Sequence, residues 1–268
     1  VILIKIADRL HNMRTLQYMP LNKQIKITGE TIYLFAPLAY RLGLYPIKSE
    51  LEDLCMKYRF PEEYEQIRRK IEETEPKRQQ YIERFMAPIK EVLDRNNFQY
   101  EMKARVKSIY SIWNKMRRKE IPFEEVYDLF AIRIVFKTLP FPSEKTQCWQ
   151  IYSCVTDIYT PKPDRLRDWI SIPKSNGYEA LHSTVMGPDG IWVEVQVRTE
   201  RMDDIAERGF AAHWKYKHAS ITQEEDGLDK WLRKVREALS SNTENAHEFL
   251  DNFKLSLYKT DVVVFTPN

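Results

Sequence analysis

Lys107, Ser111 and Lys115 recur four residues apart in ARVKSIYSIWNKM, with Arg105 just before them. In a helix that spacing sets the three side chains on one stripe. The stripe then carries an ammonium, a hydroxyl and a second ammonium, and Arg105 adds a planar guanidinium that forks onto phosphate or stacks on a base. Such a set suits a polyphosphate; a basic solvent face is the other reading. In IWVEVQVRT, Glu194, Gln196 and Arg198 alternate with Val193, Val195 and Val197. As a strand this gives one aliphatic face and one face holding a carboxylate, an amide and a guanidinium. That face either lines the wet side of a sheet or presents a metal-binding or general-base carboxylate.

Asp128 heads YDLFAIRIVF, an otherwise apolar run read as a strand over 127–136. A carboxylate there is costly to bury unpaired. With Glu194 on a neighbouring strand it makes the two-carboxylate set that holds magnesium in phosphoryl-transfer sites; a salt bridge to a nearby cation is the alternative. Arg133 lies five residues on, so regular alternation sends it to the opposite face from Asp128 and outside the candidate site. In PKSNGYEALHSTV (173–185), Asn176-Gly177 is a tight-turn pair that a structural hairpin explains fully. The hairpin leaves Lys174, Tyr178 and His182 unexplained. Lysine can meet a phosphate, tyrosine can stack a flat base, and histidine can hydrogen-bond a phosphate or ribose or serve as an ordinary core or surface residue.

These side chains need elements to position them. Ile2, Ile6, Leu10 and Met13 recur at helical spacing, and Thr31 to Leu42 reads as an apolar helix closed by Gly43. The charged stretch from Phe60 to Asn97 predicts exposed helices, with Pro76 and Pro88 near breaks or first turns. FQYEMKARV (98–106) reads as a strand, followed by a helix whose buried face is Ile109, Ile112, Trp113 and Met116. IWVEVQVRT is the clearest strand. A helix resumes over 202–217, and helices with polar breaks continue to about Tyr258. A strand–helix–strand core flanked by helices is an α+β fold.

The 268 residues carry 42 Lys and Arg against 39 Asp and Glu, a net charge of +3. That balance supplies no bulk attraction to nucleic acid or a membrane surface. No run is long and apolar enough to span a bilayer, and no signal peptide is visible. Cys55, Cys148 and Cys154 are odd in number and lack metal-type spacing, so reduced thiols in a cytoplasmic protein are predicted. There is no Walker or kinase glycine loop and no G-x-S-x-G elbow. The opening VILIKIADRL, without Met, and the closing DVVVFTPN both read as cuts from a longer protein.

Taken in order, ARVKSIYSIWNKM, YDLFAIRIVF, RLRDWISIPKSNGYEALHSTV, VEVQVRT and MDDIAERGFAAHWKYK resemble RelA/SpoT-type synthetases of the alarmone (p)ppGpp. The upstream KIADRLHNMRT is similar to the last motif of the HD-type hydrolase domain of bifunctional Rel enzymes, and DVVVFTPN resembles the first strand of a TGS domain. The resemblance implies a nucleotidyltransferase-like mixed β-sheet flanked by helices, preceded by a helical segment from the end of a hydrolase domain. It divides the chain into hydrolase-domain and connecting helices (1–59), a synthetase domain (60–236), a helical linker (237–260) and the start of TGS (261–268).

The implied reaction is that of a GTP diphosphokinase, moving the β,γ-pyrophosphate of ATP to the ribose 3′-hydroxyl of GDP or GTP. Arg105, Lys107, Ser111 and Lys115 would hold ATP, with Arg105 on adenine. Asp128 and Glu194 would bind magnesium, and Glu194 would be the base. Lys174, Asn176, Tyr178 and His182 would hold GDP or GTP, with Tyr178 on guanine and Arg167, Gln196, Arg198 and His213 in support. Residues 165–168 read RLRD where the bifunctional branch carries RxKD, so Arg167 replaces a lysine. Asp8 and Asn12 match remnants of the hydrolase site, but the sequence holds no His-Asp pair, so its manganese site is expected to be incomplete. Ribosome engagement is expected only through C-terminal regions that this chain lacks, and no membrane or direct nucleic-acid partner is expected. The alternative is a nucleotide-binding regulatory fragment with little or no turnover.

Overall fold

The computed structural model describes residues 2–126 and 128–209. The helices expected to continue past 209, His213, and the linker and TGS segments lie outside the described residues.

Five strands form one mixed sheet in the order β1-β2-β5-β4-β3: β1 Tyr100–Val106, β2 Phe130–Phe136, β3 Arg167–Asp168, β4 Leu181–Met186 and β5 Trp192–Thr199. The central pair β2/β5 is parallel and the others are antiparallel. A mixed sheet flanked by helices is the fold class that the sequence predicted. Its two faces differ because the side-chain period is two. One face presents Ile132, Ile134, Val193, Val195 and Val197, packed against Phe85 and Ile89 of α6 (Glu75–Arg95) and Cys148 and Ile151 of α8 (Glu144–Thr156). Phe85 is wholly buried and stacks on Tyr159 with centroids 4.6 Å apart. On the other face the register aligns Arg105 with Ala131, Glu194 and Thr184, and Arg133 with Gln196, His182 and Arg167.

The N-terminal part is helical: α1 Ile2–Arg14, α2 Leu21–Glu30, α3 Ala36–Arg41, α4 Tyr45–Arg59 and α5 Pro61–Glu73. Ile6, Leu10 and Met13 are buried on the face that their spacing predicts. The helix expected from Thr31 begins earlier: α2 runs through a π turn at Thr31–Phe35 into α3, and Gly43 at φ 71° ends it. α9 (Glu200–Arg208) ends at Gly209, where a Cβ would fall 2.4 Å from the Leu42 carbonyl oxygen. Only glycine lets the end of α9 approach the α3–α4 turn so closely.

Four local expectations need correction. β2 begins at Phe130, so Asp128 stands in the turn before it and the strand's alternation does not extend back to it. Parity from Asp128 therefore misplaced Arg133, which shares the face of Glu194, Gln196 and Arg198. The charged stretch is not merely a solvated surface: α6 buries Tyr81, Ile82, Phe85, Met86, Ile89 and Leu93 at helical spacing. Pro76 lies in the first turn of that helix, whereas Pro88 lies within it.

Candidate active site

α7 (Ile109–Lys119) follows β1 directly. Ser108 caps it by accepting from the Ser111 N–H, and Ile112 turns into a core shared with Met56 and Phe123. That packing directs Ser111 and Lys115 away from the core, whereas Lys107 precedes the Ser108 cap and so stands outside the helical stripe that its spacing predicted. The Lys107 N–H is fixed to the Leu129 carbonyl at 2.8 Å, which joins the start of α7 to the segment holding Asp128.

Glu194 is the hub. Its Oε2 accepts from Lys107 Nζ at 2.7 Å, and its Oε1 from His182 Nδ1 at 3.1 Å and Gln196 Nε2 at 2.8 Å. The bonds close a ring. Arg198 donates to Gln196 Oε1 at 2.7 Å and to the Tyr178 hydroxyl at 3.4 Å, and that hydroxyl lies 2.7 Å from His182 Nε2. Because a carboxylate only accepts, His182 Nδ1 must donate, leaving Nε2 of a neutral ring to accept from Tyr178. Burial lowers the His182 pKa against the pull of Glu194, in keeping with that neutral ring. Burial alone would push the Glu194 carboxyl up. The His182 N–H and the Lys107 ammonium outweigh it and hold Glu194 well below the usual carboxylate range. A second pair joins Lys115 to Asp128.

Ser111, Lys115, Asp128, Arg167, His182 and Glu194 all line one cavity of about 750 Å³. Arg105 and Lys107 line a neighbouring cavity of about 540 Å³, with Asp53, Tyr64 and Arg68. Lys174, Asn176 and Tyr178 lie off both. The Lys174 ammonium sits 4.9 Å from the centroids of both Trp169 and Tyr178, its pKa lowered by burial against the pull of Glu194. Tyr178 is only 8% exposed and meets the Tyr45 ring edge-on, and Asn176 is tied to Tyr40 and Tyr45. Arg198 and Arg133 are buried beside Asp203 of α9. Asp8 and Asn12 are hydrogen-bonded to each other on α1.

The large cavity also holds cations that sequence reasoning missed: Arg118, Lys119, Lys162 and Arg165. Arg118 continues the α7 stripe three residues past Lys115, so helical spacing alone points to it. Lys162 lies 5.4 Å from the Trp192 ring centroid, a neighbourhood that only the pairing of β4 with β5 creates. Two carboxylates and several cations in one cavity can compensate phosphate charge and hold a small hard cation.

Comparison with known proteins finds relatives along the whole chain. The model of a region found in RelA / SpoT proteins matches residues 104–221, and an HD domain model matches residues 1–45. The chain is 40% identical over 268 residues to a guanosine-3′,5′-bis(diphosphate) 3′-pyrophosphohydrolase of Aquifex aeolicus and to a GTP pyrophosphokinase of Myxococcus xanthus. It is 36% identical over 269 residues to the bifunctional (p)ppGpp synthase/hydrolase SpoT of Escherichia coli. All of this chain is covered in each case, but it spans only 37%, 34% and 37% of those relatives. Among solved structures, small alarmone synthetase 1 of Bacillus subtilis, bound to its product pppGpp, is 22% identical with a TM-score of 0.38, covering 65% of this chain and 100% of that one.

Proposed function

Because this chain belongs to the RelA/SpoT family, we propose that its cavity transfers the β,γ-pyrophosphate of ATP to the ribose 3′-hydroxyl of GDP or GTP. The observation that carries the reading is the position of Glu194, ionised and held by Lys107 and His182 in the cavity that Asp128 and Lys115 also line. The 3′-oxygen attacks the β-phosphorus, the bond from that phosphorus to the α–β bridging oxygen breaks, and AMP leaves. Glu194 takes the hydroxyl proton. Lys107, Ser111 and Lys115 bind the ATP phosphates, the lysines exchanging carboxylate partners for phosphate oxygens. Arg105 stacks on adenine.

Asp128 and Glu194 fit magnesium, because two oxygen donors from adjoining elements leave the rest of its shell to phosphates and water. Bound there, the ion would offset charge on the transferred group. Lys174, Asn176, Tyr178 and His182 belong to the guanosine side. Tyr178 is buried against Tyr45, so stacking guanine on it requires the 174–180 loop to open. Arg167 stands where the bifunctional branch has lysine and faces the same cavity, suited to a guanosine phosphate. Three free thiols suit a cytoplasmic setting.

Incubation with γ-labelled ATP, magnesium and GDP or GTP tests the reaction. Label in a guanosine tetra- or pentaphosphate, with AMP in equal amount, is expected. Bound nucleotide without any such product would favour the regulatory-fragment reading, to which the closed state of Tyr178 lends its one support.

A further inference from the structure

The first N–H groups of an α-helix have no partner within the helix. In α7, Ser108 answers Ser111. The Tyr110 N–H is answered from another element, by Asp53 Oδ1 of α4 at 2.8 Å. Asp53 thus reaches across from α4 to answer an N–H that α7 cannot answer itself. α4 lies outside residues 104–221, the part that matches the RelA / SpoT region, and in sequence it reads as the end of the preceding hydrolase-type segment.

The contact is well placed to matter. Asp53 is partly buried, and burial raises its carboxyl although the Tyr110 N–H and Lys48 oppose this. A carboxylate at this end of a helix also meets the positive end of the helix dipole. Beneath it, Met56 of α4 packs in one cluster with Ile67, Ile112 and Phe123. The chain entering α7 is therefore pinned twice, by Leu129 at Lys107 and by Asp53 at Tyr110. Lys107 and Ser111 flank those pins. Asp53 also lines the cavity of Arg105 and Lys107, and its bond to the Tyr110 N–H gives it a hold on that side through the helix.

We propose that Asp53 is a positioning residue for the ATP subsite, holding the first turn of α7 so that Lys107 and Ser111 meet the phosphates. The inference rests on assigning that subsite to ATP.

The test compares the 268-residue chain with Asp53→Ala and Asp53→Asn, by KM for ATP and GDP and by calorimetric affinity for α,β-methylene-ATP, which cannot release AMP. Asp53→Ala should raise KM for ATP and weaken the analogue about tenfold, as losing a charged cap implies, and leave the GDP constants unchanged. Asp53→Asn keeps an acceptor oxygen and should lose roughly threefold on the ATP side alone; it decides the matter if the alanine variant does not fold. Unchanged analogue affinity in both variants would overturn the proposal. So would ATP and GDP constants rising in step, or a fall in kcat alone, because either marks a merely structural residue. A parent chain that binds the analogue but makes no product would defeat the pyrophosphokinase reading, while the analogue affinities would still decide the role of Asp53.

Discussion

The side-chain amide of Asn176 donates to the Tyr45 hydroxyl at 2.7 Å, joining residues 131 positions apart, and also to the Tyr40 carbonyl at 3.1 Å. The loop read as the guanosine side is thereby tied to the N-terminal helices. Asn176→Ala strands both partners and should cost roughly 1–3 kcal/mol of stability, seen as a lower urea midpoint. Tyr45→Phe should cost less and shift affinity for GDP without shifting affinity for ATP. An unchanged midpoint in Asn176→Ala would show that the tie adds nothing.

Phe85 and Gly187 make a paired test of the core. Phe85 is wholly buried, and a Cβ on Gly187 would stand 2.8 Å from the Phe85 ring and 2.5 Å from the Tyr81 hydroxyl. Phe85→Ala should lose about 3–5 kcal/mol, and Gly187→Ala about 1–3 kcal/mol from overpacking. Thermal or urea unfolding reads both.

Burial pushes the Cys55 and Cys148 thiols up to about 12. Both stay protonated at pH 8 and should resist alkylation until the chain unfolds, whereas the half-buried Cys154 should react first. Cys148 and Cys154 lie six residues apart on α8, a rise of about 9 Å, too far for a disulfide. Mass spectrometry after timed iodoacetamide labelling reads the order. Rapid native labelling of Cys148 would contradict the packing described.

The metal assignment makes its own demand. EDTA should abolish pyrophosphate transfer and excess magnesium should restore it. Asp128→Asn should raise the magnesium needed for half-maximal rate by about tenfold or more, with little change in fold. Full activity in EDTA would remove Asp128 from the role given it.

The strand face Glu194, Gln196 and Arg198 was legible because a period of two needs only the sequence; burial alternates along β5 as far as Val197, and the bond from Arg198 to Gln196 keeps Arg198 on the same face although it is buried. Ser111 and Lys115 were legible as one stripe at a period near four, but not that Lys107 lies before the helix and reaches Glu194 from there. What stayed hidden depended on partners distant in sequence. Arg133 was misplaced because nothing in YDLFAIRIVF shows that the strand starts at Phe130. The buried face of α6 was masked by the many charges on its other sides. The attachment of Asn176 to Tyr45, and of Asp53 to α7, joins segments that no local pattern links. Recognising the motifs named the candidate residues, but only the fold shows that the lysines and carboxylates already neutralise one another.

If Glu194 removes the proton from the attacking hydroxyl, its loss should fall on the chemical step. The most direct measurement is a single-turnover reaction of γ-labelled ATP with GDP and magnesium, comparing the parent chain with Glu194→Gln at matched nucleotide occupancy. The chemical step should be slower by roughly 10²–10⁴ in the variant, with both nucleotides still bound. Equal rates in parent and variant would contradict it.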